Sequence, residues 1–261
     1  MDDFNQIIDE YPLNYCQQLE LAYGSGMMSE GGTEAIDTLF SQIDIQNKSI
    51  YEIGCGLGGM AYYLASTHQP KAFIASDINN KLISYCKNKW PKLTNLHFQY
   101  ADKPNQINFK SNHFDIVTSK GVLVHLHNKR PLYQEIYRVL KPNGVFVLND
   151  WLSKTPDTFG DALDKMAKTE GLSLFPTTKT HYLDLLKSIG FTQLKVVDQT
   201  KQYAKYNFEI VKHLASENIM CEFIERFGKQ TYTEIKQGYQ LTATAMNQGD
   251  VIVKNIYAFK A

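Results

Sequence analysis

The sequence predicts an α/β protein built on a doubly wound, mostly parallel sheet. Short, apolar, β-branched runs alternate with segments of helical period, and the first of these runs leads directly into a glycine cluster. Strands joined by helical crossovers need cover on both faces, and right-handed crossovers then give an open sheet with helices on both sides. In such a sheet, ligands bind beyond the carboxyl ends of the strands.

The predicted elements follow one another in a regular order up to residue 150. Ile36, Leu39, Phe40 and Ile43 share one helical face just before the first strand. Strands are predicted at residues 49–53, 72–76, 96–100, 114–119 and 145–149. Before the fifth strand, Pro131 suits a first helical turn and residues 141–144, Lys-Pro-Asn-Gly, form a stop signal.

After residue 150 the alternation loosens for about forty residues. A helix is predicted from Tyr182 to Ile189, with Gly190 at its carboxyl end. Two further strands are predicted at residues 191–197 and 251–259, with a long helical stretch between them. No internal repeat or linker separates these parts, so a single domain over residues 1–261 is expected.

The charge balance and the cysteines exclude several classes of protein. Twenty-seven basic and 27 acidic residues cancel, so no basic surface for nucleic acid is expected. No apolar run approaches the roughly 20 residues that a membrane helix needs, and the acidic first residues do not resemble a targeting peptide. The 4 cysteines are too few and too widely spaced for a disulfide scaffold or a zinc site. We expect a cytoplasmic protein with no bound metal.

The most informative segment is residues 51–59, Tyr-Glu-Ile-Gly-Cys-Gly-Leu-Gly-Gly, between the first strand and an apolar helix. Gly54 and Gly56 allow a sharp turn that a ligand can approach closely. Asp77 ends the second strand, where its carboxylate can accept hydrogen bonds from both hydroxyls of a ribose. Together these features predict a nucleoside site.

Two ligand classes fit this glycine spacing. Gly54, Gly56 and Gly59 also satisfy G-x-G-x-x-G, so a nicotinamide-dependent oxidoreductase stays an alternative. Glu52, two residues before the first glycine, favours a ligand with an ammonium or sulfonium group, because a carboxylate there would repel a pyrophosphate.

The same residues resemble the class I S-adenosylmethionine-dependent methyltransferases. The resemblance covers Glu52 to Gly58, Asp77, the Ala101-Asp102 pair, and residues 114–117 and 140–144. It implies a Rossmann-like seven-stranded sheet whose last strand is antiparallel, with S-adenosylmethionine as cofactor. The cofactor-binding residues that it implies are Ser29, Glu52, Gly54, Cys55, Gly56, Asp77, Ile78, Asp102, Lys103 and Lys120.

A narrower resemblance links the chain to the phosphoethanolamine N-methyltransferases, through residues 23–32, Tyr-Gly-Ser-Gly-Met-Met-Ser-Glu-Gly-Gly. It implies an amino-terminal helical lid over residues 1–48, a cofactor-binding core at 49–150, and acceptor-side helices and final strands at 151–261. By position, Ser29 would lie near the methionine carboxylate of the cofactor, and Tyr11 would cap the acceptor site. His125 would match the catalytic histidine, and its ordinary pKa near 6.5 suits a general base.

The departures from that group concern the acceptor. Gly121 stands where the group has an aspartate, Trp151 replaces a tyrosine, and Leu172 and Leu174 occupy the positions of the arginine and tyrosine that hold phosphate. We therefore expect methylation of a small polar acceptor other than phosphoethanolamine, with an amine as the predicted class, by a monomer or homodimer without nucleic-acid or membrane partners.

Aromatic side chains could box a methylated ammonium group through cation–π attraction, and Tyr11, Trp151 and Tyr182 are the predicted acceptor-binding residues. Tyr11 is also predicted to act with His125 in catalysis. Because Gly121 replaces the aspartate, a non-catalytic partner subunit that binds S-adenosylmethionine is a third hypothesis.

Overall fold

The computed structural model describes residues 3–103 and 105–261, and it contains one seven-stranded sheet in the order β3-β2-β1-β4-β5-β7-β6. The strands are β1 Ser49–Ile53, β2 Ala72–Asp77, β3 Leu96–Tyr100, β4 Phe114–Lys120, β5 Leu140–Ser153, β6 Phe191–Asp198 and β7 Val251–Lys260. Strands β1 to β5 pair in parallel, whereas β7 runs antiparallel to both β5 and β6. The predicted sheet and its antiparallel last strand are confirmed.

The helices cover both faces of this sheet and extend beyond its carboxyl edge. They are α1 Asp3–Glu10, α2 Leu13–Tyr23, α3 Gly32–Phe40, α4 Gly59–Thr67, α5 Asn80–Lys89, α6 Arg130–Val139, α7 Asp161–Glu170, α8 Lys179–Ile189, α9 Thr200–Leu214, α10 Glu217–Phe227 and α11 Lys229–Gln248. A 3₁₀ turn, Leu123–His125, follows β4. None of the described helices is long and apolar enough to cross a membrane.

Alternation along the central strands explains why both faces of the sheet are buried. Ile50 and Val147 belong to one core cluster, whereas their neighbours Tyr51 and Phe146 belong to the cluster on the opposite face. Side chains two apart lie on the same face of a strand, so each central strand contributes to both layers. Each fully buried valine, isoleucine or phenylalanine side chain stabilises the folded protein by about 1.5 to 3 kcal/mol. This packing on both faces holds the carboxyl edge of the sheet in place.

Strand β5 is longer than the sequence predicts. Its carboxyl end extends to Ser153 because β7 pairs with it from Val145 through to Ser153, and its amino end extends to Leu140, which pairs with Phe114 of β4. Trp151 therefore lies within the strand, and the segment predicted as irregular contains α7.

Candidate active site

The glycine turn after β1 has a backbone that side chains disfavour. Gly54, Gly56 and Gly58 have φ values of 71°, 53° and 81°. A Cβ atom at Gly54 would lie 2.5 Å from Val122 Cγ2, and one at Gly56 would lie 2.5 Å from Met28 Sδ. Both the backbone conformation and the close packing of the protein's own side chains therefore require glycine here.

Asp77 holds this turn in place from the end of β2. Its Oδ2 atom accepts a hydrogen bond from the Gly56 N–H at 2.8 Å, and Oδ1 accepts one from the Asn79 N–H at 2.9 Å. Burial raises the pKa of Asp77 to about 6, although the N–H groups of Asn79, Gly56 and Ile78 lower it in part. The remaining lone pairs can accept hydrogen bonds from a ligand.

A pocket lies at the carboxyl edge of β1, β2 and β4, and we call it the strand-end pocket. The predicted cofactor residues that line it are Ser29, Glu52, Gly54, Cys55, Gly56, Asp77, Ile78, Lys103 and Lys120. Asp102 does not line it. That side chain is exposed, and its neighbours Ala101 and Lys103 contribute to the wall instead. The prediction for Asp102 is therefore corrected: the turn after β3 presents the residues on either side of it.

Glu52 is the least satisfied polar group of the strand-end pocket. Its side chain is 3% exposed, and its buried Oε2 atom has no hydrogen-bond partner in the described part of the chain. Burial, followed by the charge of Asp77, raises the pKa of Glu52 to about 8. A buried carboxylate without a donor is costly, and a ligand with an ammonium group would supply both a donor and a charge. The amino-acid end of S-adenosylmethionine fits this requirement.

Lys120 connects the end of β4 to the turn before α3. Its Nζ atom donates to Ser29 Oγ at 2.6 Å and to the Glu30 carbonyl oxygen at 2.9 Å. Burial lowers the pKa of Lys120 to about 8, and the nearby Glu30 carboxylate opposes that change. Lys120 thus positions Ser29, and its pairing with a cofactor carboxylate stays a prediction.

His125 and Tyr11, the two predicted catalytic residues, form a hydrogen-bonded pair. His125 Nδ1 lies 3.1 Å from the Ser173 carbonyl oxygen, which only accepts, so Nδ1 carries the proton in the neutral ring. Nε2, 3.1 Å from the Tyr11 hydroxyl, then accepts from that hydroxyl. Burial lowers the pKa of His125 to about 4 and raises that of Tyr11, so both are neutral near pH 7. His125 is consequently a weaker base than free imidazole.

A second pocket lies on the other side of this pair, and we call it the helical pocket. Its walls come mainly from α2, α7, α11 and the segment after α7, including Tyr15, Tyr23, Trp151, Met166, Glu170, Leu172, Leu174, Tyr239 and Thr242. Tyr11, Met28, Ser29, Gly121 and His125 line both pockets. The Tyr11–His125 pair therefore stands where two ligands would meet.

Tyr182 does not belong to the helical pocket, contrary to its predicted role in acceptor binding. It is fully buried on α8 and lines neither pocket, because α8 packs its apolar face against the sheet. Its hydroxyl donates to Asp150 Oδ2 at 2.9 Å, and Asp150 Oδ1 accepts from the Val124 N–H at 3.2 Å. Tyr182 thus supports the turn that carries His125.

Three functional positions escape the sequence-based prediction. Asp150 follows the predicted fifth strand, which is the same signal that identifies Asp77. Asn79 caps α5, and its amide donates to the Tyr11 carbonyl oxygen at 3.1 Å. Glu170, at the end of α7, has no local motif. Its Oε2 accepts from the Tyr15 hydroxyl at 2.5 Å.

Gly121 has a φ of 69°, and its N–H donates to the Asn149 carbonyl oxygen at 2.9 Å. L side chains rarely adopt this backbone region, so an aspartate would be strained at this position. The local backbone conformation therefore favours glycine over aspartate at this position.

Comparisons with known proteins agree with this geometry. Residues 51–148, which include the glycine turn, Asp77 and Lys120, match the model of a methyltransferase domain. Over 95% of its length it is 23% identical to a phosphoethanolamine N-methyltransferase of Triticum aestivum, and over 90% it is 26% identical to the one of Plasmodium falciparum. It covers 48% of the wheat protein and 86% of the Plasmodium protein.

The fold of the whole chain is also found in solved structures. The whole chain superposes on 60% of a phosphoethanolamine N-methyltransferase of Haemonchus contortus, with a TM-score of 0.87 and 17% identity. That protein was solved with phosphomonomethylethanolamine and S-adenosylhomocysteine. The chain spans about half the length of the plant relatives it matches. At the level of the domain, the predicted methyltransferase class and its cofactor, S-adenosylmethionine, are confirmed.

Proposed function

We propose that this chain transfers a methyl group from S-adenosylmethionine to the nitrogen of a small amine. The observation that carries the proposal is the neutral Tyr11–His125 pair at the join of two pockets. The strand-end pocket has the polar groups that suit the methyl donor, and the helical pocket is the space left for the acceptor. The names of the relatives agree with methylation of nitrogen.

Several residues would hold the donor. Glu52 would accept a hydrogen bond from the ammonium group, and Asp77 would accept from the ribose hydroxyls while it keeps the glycine turn closed. Ile78 and Leu132 give apolar cover to the same pocket. When bound, S-adenosylmethionine supplies an electrophilic methyl group, and the protein's main task is to hold the acceptor nitrogen in line with it.

The acceptor amine must lose a proton, because an ammonium nitrogen has no free electron pair to attack with. The Tyr11 oxygen can accept that proton while its own proton passes to His125 Nε2, the atom already hydrogen-bonded to it. Burial opposes the resulting imidazolium, so His125 serves as a transient proton acceptor. Ser173 keeps Nε2 available by accepting from Nδ1.

A binding and turnover experiment tests this proposal. Calorimetry compares S-adenosylhomocysteine with NADH, and a labelled-methyl assay follows transfer to primary, secondary and tertiary amines and to phenols. We expect S-adenosylhomocysteine to bind, NADH not to bind, and label to appear on nitrogen. Binding of NADH in its place would contradict the proposal and favour the oxidoreductase alternative. Cofactor binding without transfer to any amine or phenol would contradict it and favour the non-catalytic alternative.

A further inference from the structure

We propose that the helical pocket takes an acceptor without a phosphate group, and that the ammonium of this acceptor lies against the Glu170 carboxylate between tyrosine side chains. The inference deepens the proposed function, because it names the substrate class of the same site. Five features of the pocket support it: its charge, the placement of Glu170, the space made by Gly238, the aromatic walls, and an apolar wall.

The charge of the helical pocket is wrong for a phosphate monoester. Among the described residues that line it, Glu30 and Glu170 are acidic, and none is lysine or arginine. His125 lines it as a neutral ring at pH 7. Lys120 lines the strand-end pocket instead, and its Nζ atom donates to Ser29 and to the Glu30 carbonyl oxygen. A doubly charged phosphate would therefore face the Glu170 carboxylate, and no lysine or arginine among the described lining residues would pair with it.

Glu170 is placed where a purely structural role would not put it. It is the last residue of α7, where the helix dipole disfavours a negative charge. Its carboxylate accepts from the Tyr15 hydroxyl, and no residue of the described ranges forms an ion pair with it. Desolvation raises the pKa of Glu170 to about 7, so a nearby cation would stabilise its charged form.

Gly238 makes room for that carboxylate. It lies in the interior of α11, where glycine costs about 1 kcal/mol relative to alanine. A Cβ atom at this position would collide with Glu170 Oε1. The helix thus carries a destabilising residue at the point where the Glu170 carboxylate approaches it.

Tyrosines surround the same space. The Tyr11 and Tyr15 ring centroids lie 5.6 Å apart, and those of Tyr23 and Tyr239 lie 5.3 Å apart. Tyr239 is 5% exposed, and its side chain lines the helical pocket beside that of Tyr23. Aromatic faces attract ammonium groups.

One part of the wall is apolar. Leu172 and Leu174 line the pocket together with Met166, and all three belong to one hydrophobic cluster. The part of the acceptor that faces them is accordingly uncharged.

The experiment uses three probes that share one branched skeleton. They are dimethylethanolamine, its phosphate ester, and isoamyl alcohol, in which a neutral carbon replaces the nitrogen. Calorimetry measures binding of each to the protein saturated with S-adenosylhomocysteine. We expect dimethylethanolamine to bind at least about 10-fold more tightly than either of the other probes. Tighter binding of the phosphate ester, or equal binding of the alcohol, would overturn the inference.

Variants locate the ammonium group. Glu170→Gln keeps the shape of the side chain and should weaken dimethylethanolamine binding about 10-fold or more, whereas Glu225→Gln, on the exposed surface of α10, should leave it unchanged. Unchanged binding by a folded Glu170→Gln variant would contradict the inference. Leu172→Arg should improve binding of the phosphate ester relative to the amine, and its failure to do so would count against the proposed orientation.

Failure of the inference can be told apart from failure of the proposed function. Tight binding of dimethylethanolamine without methyl transfer would refute the function and leave the inference standing. Methyl transfer to the phosphate ester alone would refute the inference and leave the function standing.

Discussion

The strand-end pocket and the helical pocket are built in different ways on either side of one hydrogen-bonded pair. Glu52, Gly54, Gly56 and Asp77 of the strand-end pocket come from two adjacent strand ends. The helical pocket collects Tyr15, Glu170 and Tyr239 from three helices that are distant in sequence. Each residue of the strand-end pocket also shapes the glycine turn, so a substitution there changes the backbone as well as the ligand contacts. A substitution in the helical pocket changes the contacts with a ligand and leaves the glycine turn intact.

The largest effect is expected at the join of the two pockets. His125→Ala should reduce turnover about 100-fold or more, because it removes the proton acceptor, while leaving the affinity for S-adenosylhomocysteine unchanged. His127→Ala is the matched control, since that histidine is exposed and should retain full activity. Steady-state kinetics and calorimetry measure the two quantities. A full rate in His125→Ala would remove His125 from the mechanism.

Glu52→Gln should have opposite effects on ligand binding and on folding stability. It should weaken the binding of S-adenosylhomocysteine about 10- to 100-fold, because it removes the charge that faces the ammonium group. The pKa of Glu52 is raised from 4.5 to about 8 in the folded protein, so its carboxyl group favours folding below about pH 4.5 and loses that contribution as the pH rises through 8.

The ligand-free variant should therefore be more stable than the wild type at about pH 8, by about 2 to 4 kcal/mol, and should show little difference at about pH 4.5. Urea unfolding at both pH values measures this difference. Equal free energies of unfolding for the two proteins at both pH values would show that ionisation of the buried Glu52 side chain does not destabilise the folded protein.

Tyr182→Phe tests whether α8 lies outside the helical pocket. The loss of the hydrogen bond to Asp150 should lower the free energy of unfolding by about 1 kcal/mol, and the KM for the acceptor should not change. Tyr239→Phe is the comparison, since its hydroxyl lies in the pocket wall and its loss should raise that KM. A raised KM with unchanged stability in Tyr182→Phe would return this tyrosine to the acceptor site.

The smallest effect is expected at Asp102. Because its side chain is exposed and lines neither pocket, Asp102→Ala should change the affinity for S-adenosylhomocysteine by less than about 0.5 kcal/mol. Asp77→Ala should weaken the same affinity by about 1 to 3 kcal/mol. Calorimetry on both variants ranks the two aspartates, and an equal loss would contradict the present assignment.

Local patterns predicted the fold and much of the strand-end pocket, because strand ends, glycine turns and the acid after β2 are all encoded within a few residues. Asp150 follows a predicted strand just as Asp77 does, but it was not predicted as a site residue. For Tyr182 the sequence pattern already favoured a position in the core. Tyr182, Leu185, Leu186 and Ile189 share one apolar helical face, which is typical of a core position.

The helical pocket could not be predicted in this way. In the sequence, Glu170 precedes a glycine at a helix end and resembles any solvent-exposed acid. Its position depends on the packing of α7 against α11 and on the lack of a side chain at Gly238. Both are tertiary contacts, which no local sequence pattern encodes. The length of β5 likewise depends on its pairing with β7, nearly a hundred residues away in sequence.

Tyr11 has a consequence for the order of events in a catalytic cycle. Its ring forms part of the boundary of both chambers, and its carbonyl is tied to Asn79 at the start of α5. Because the two pockets share this side chain, Tyr11 cannot move for one of them without changing the other. We therefore expect a ligand in either pocket to slow the release of a ligand from the other, without any change in the rest of the molecule.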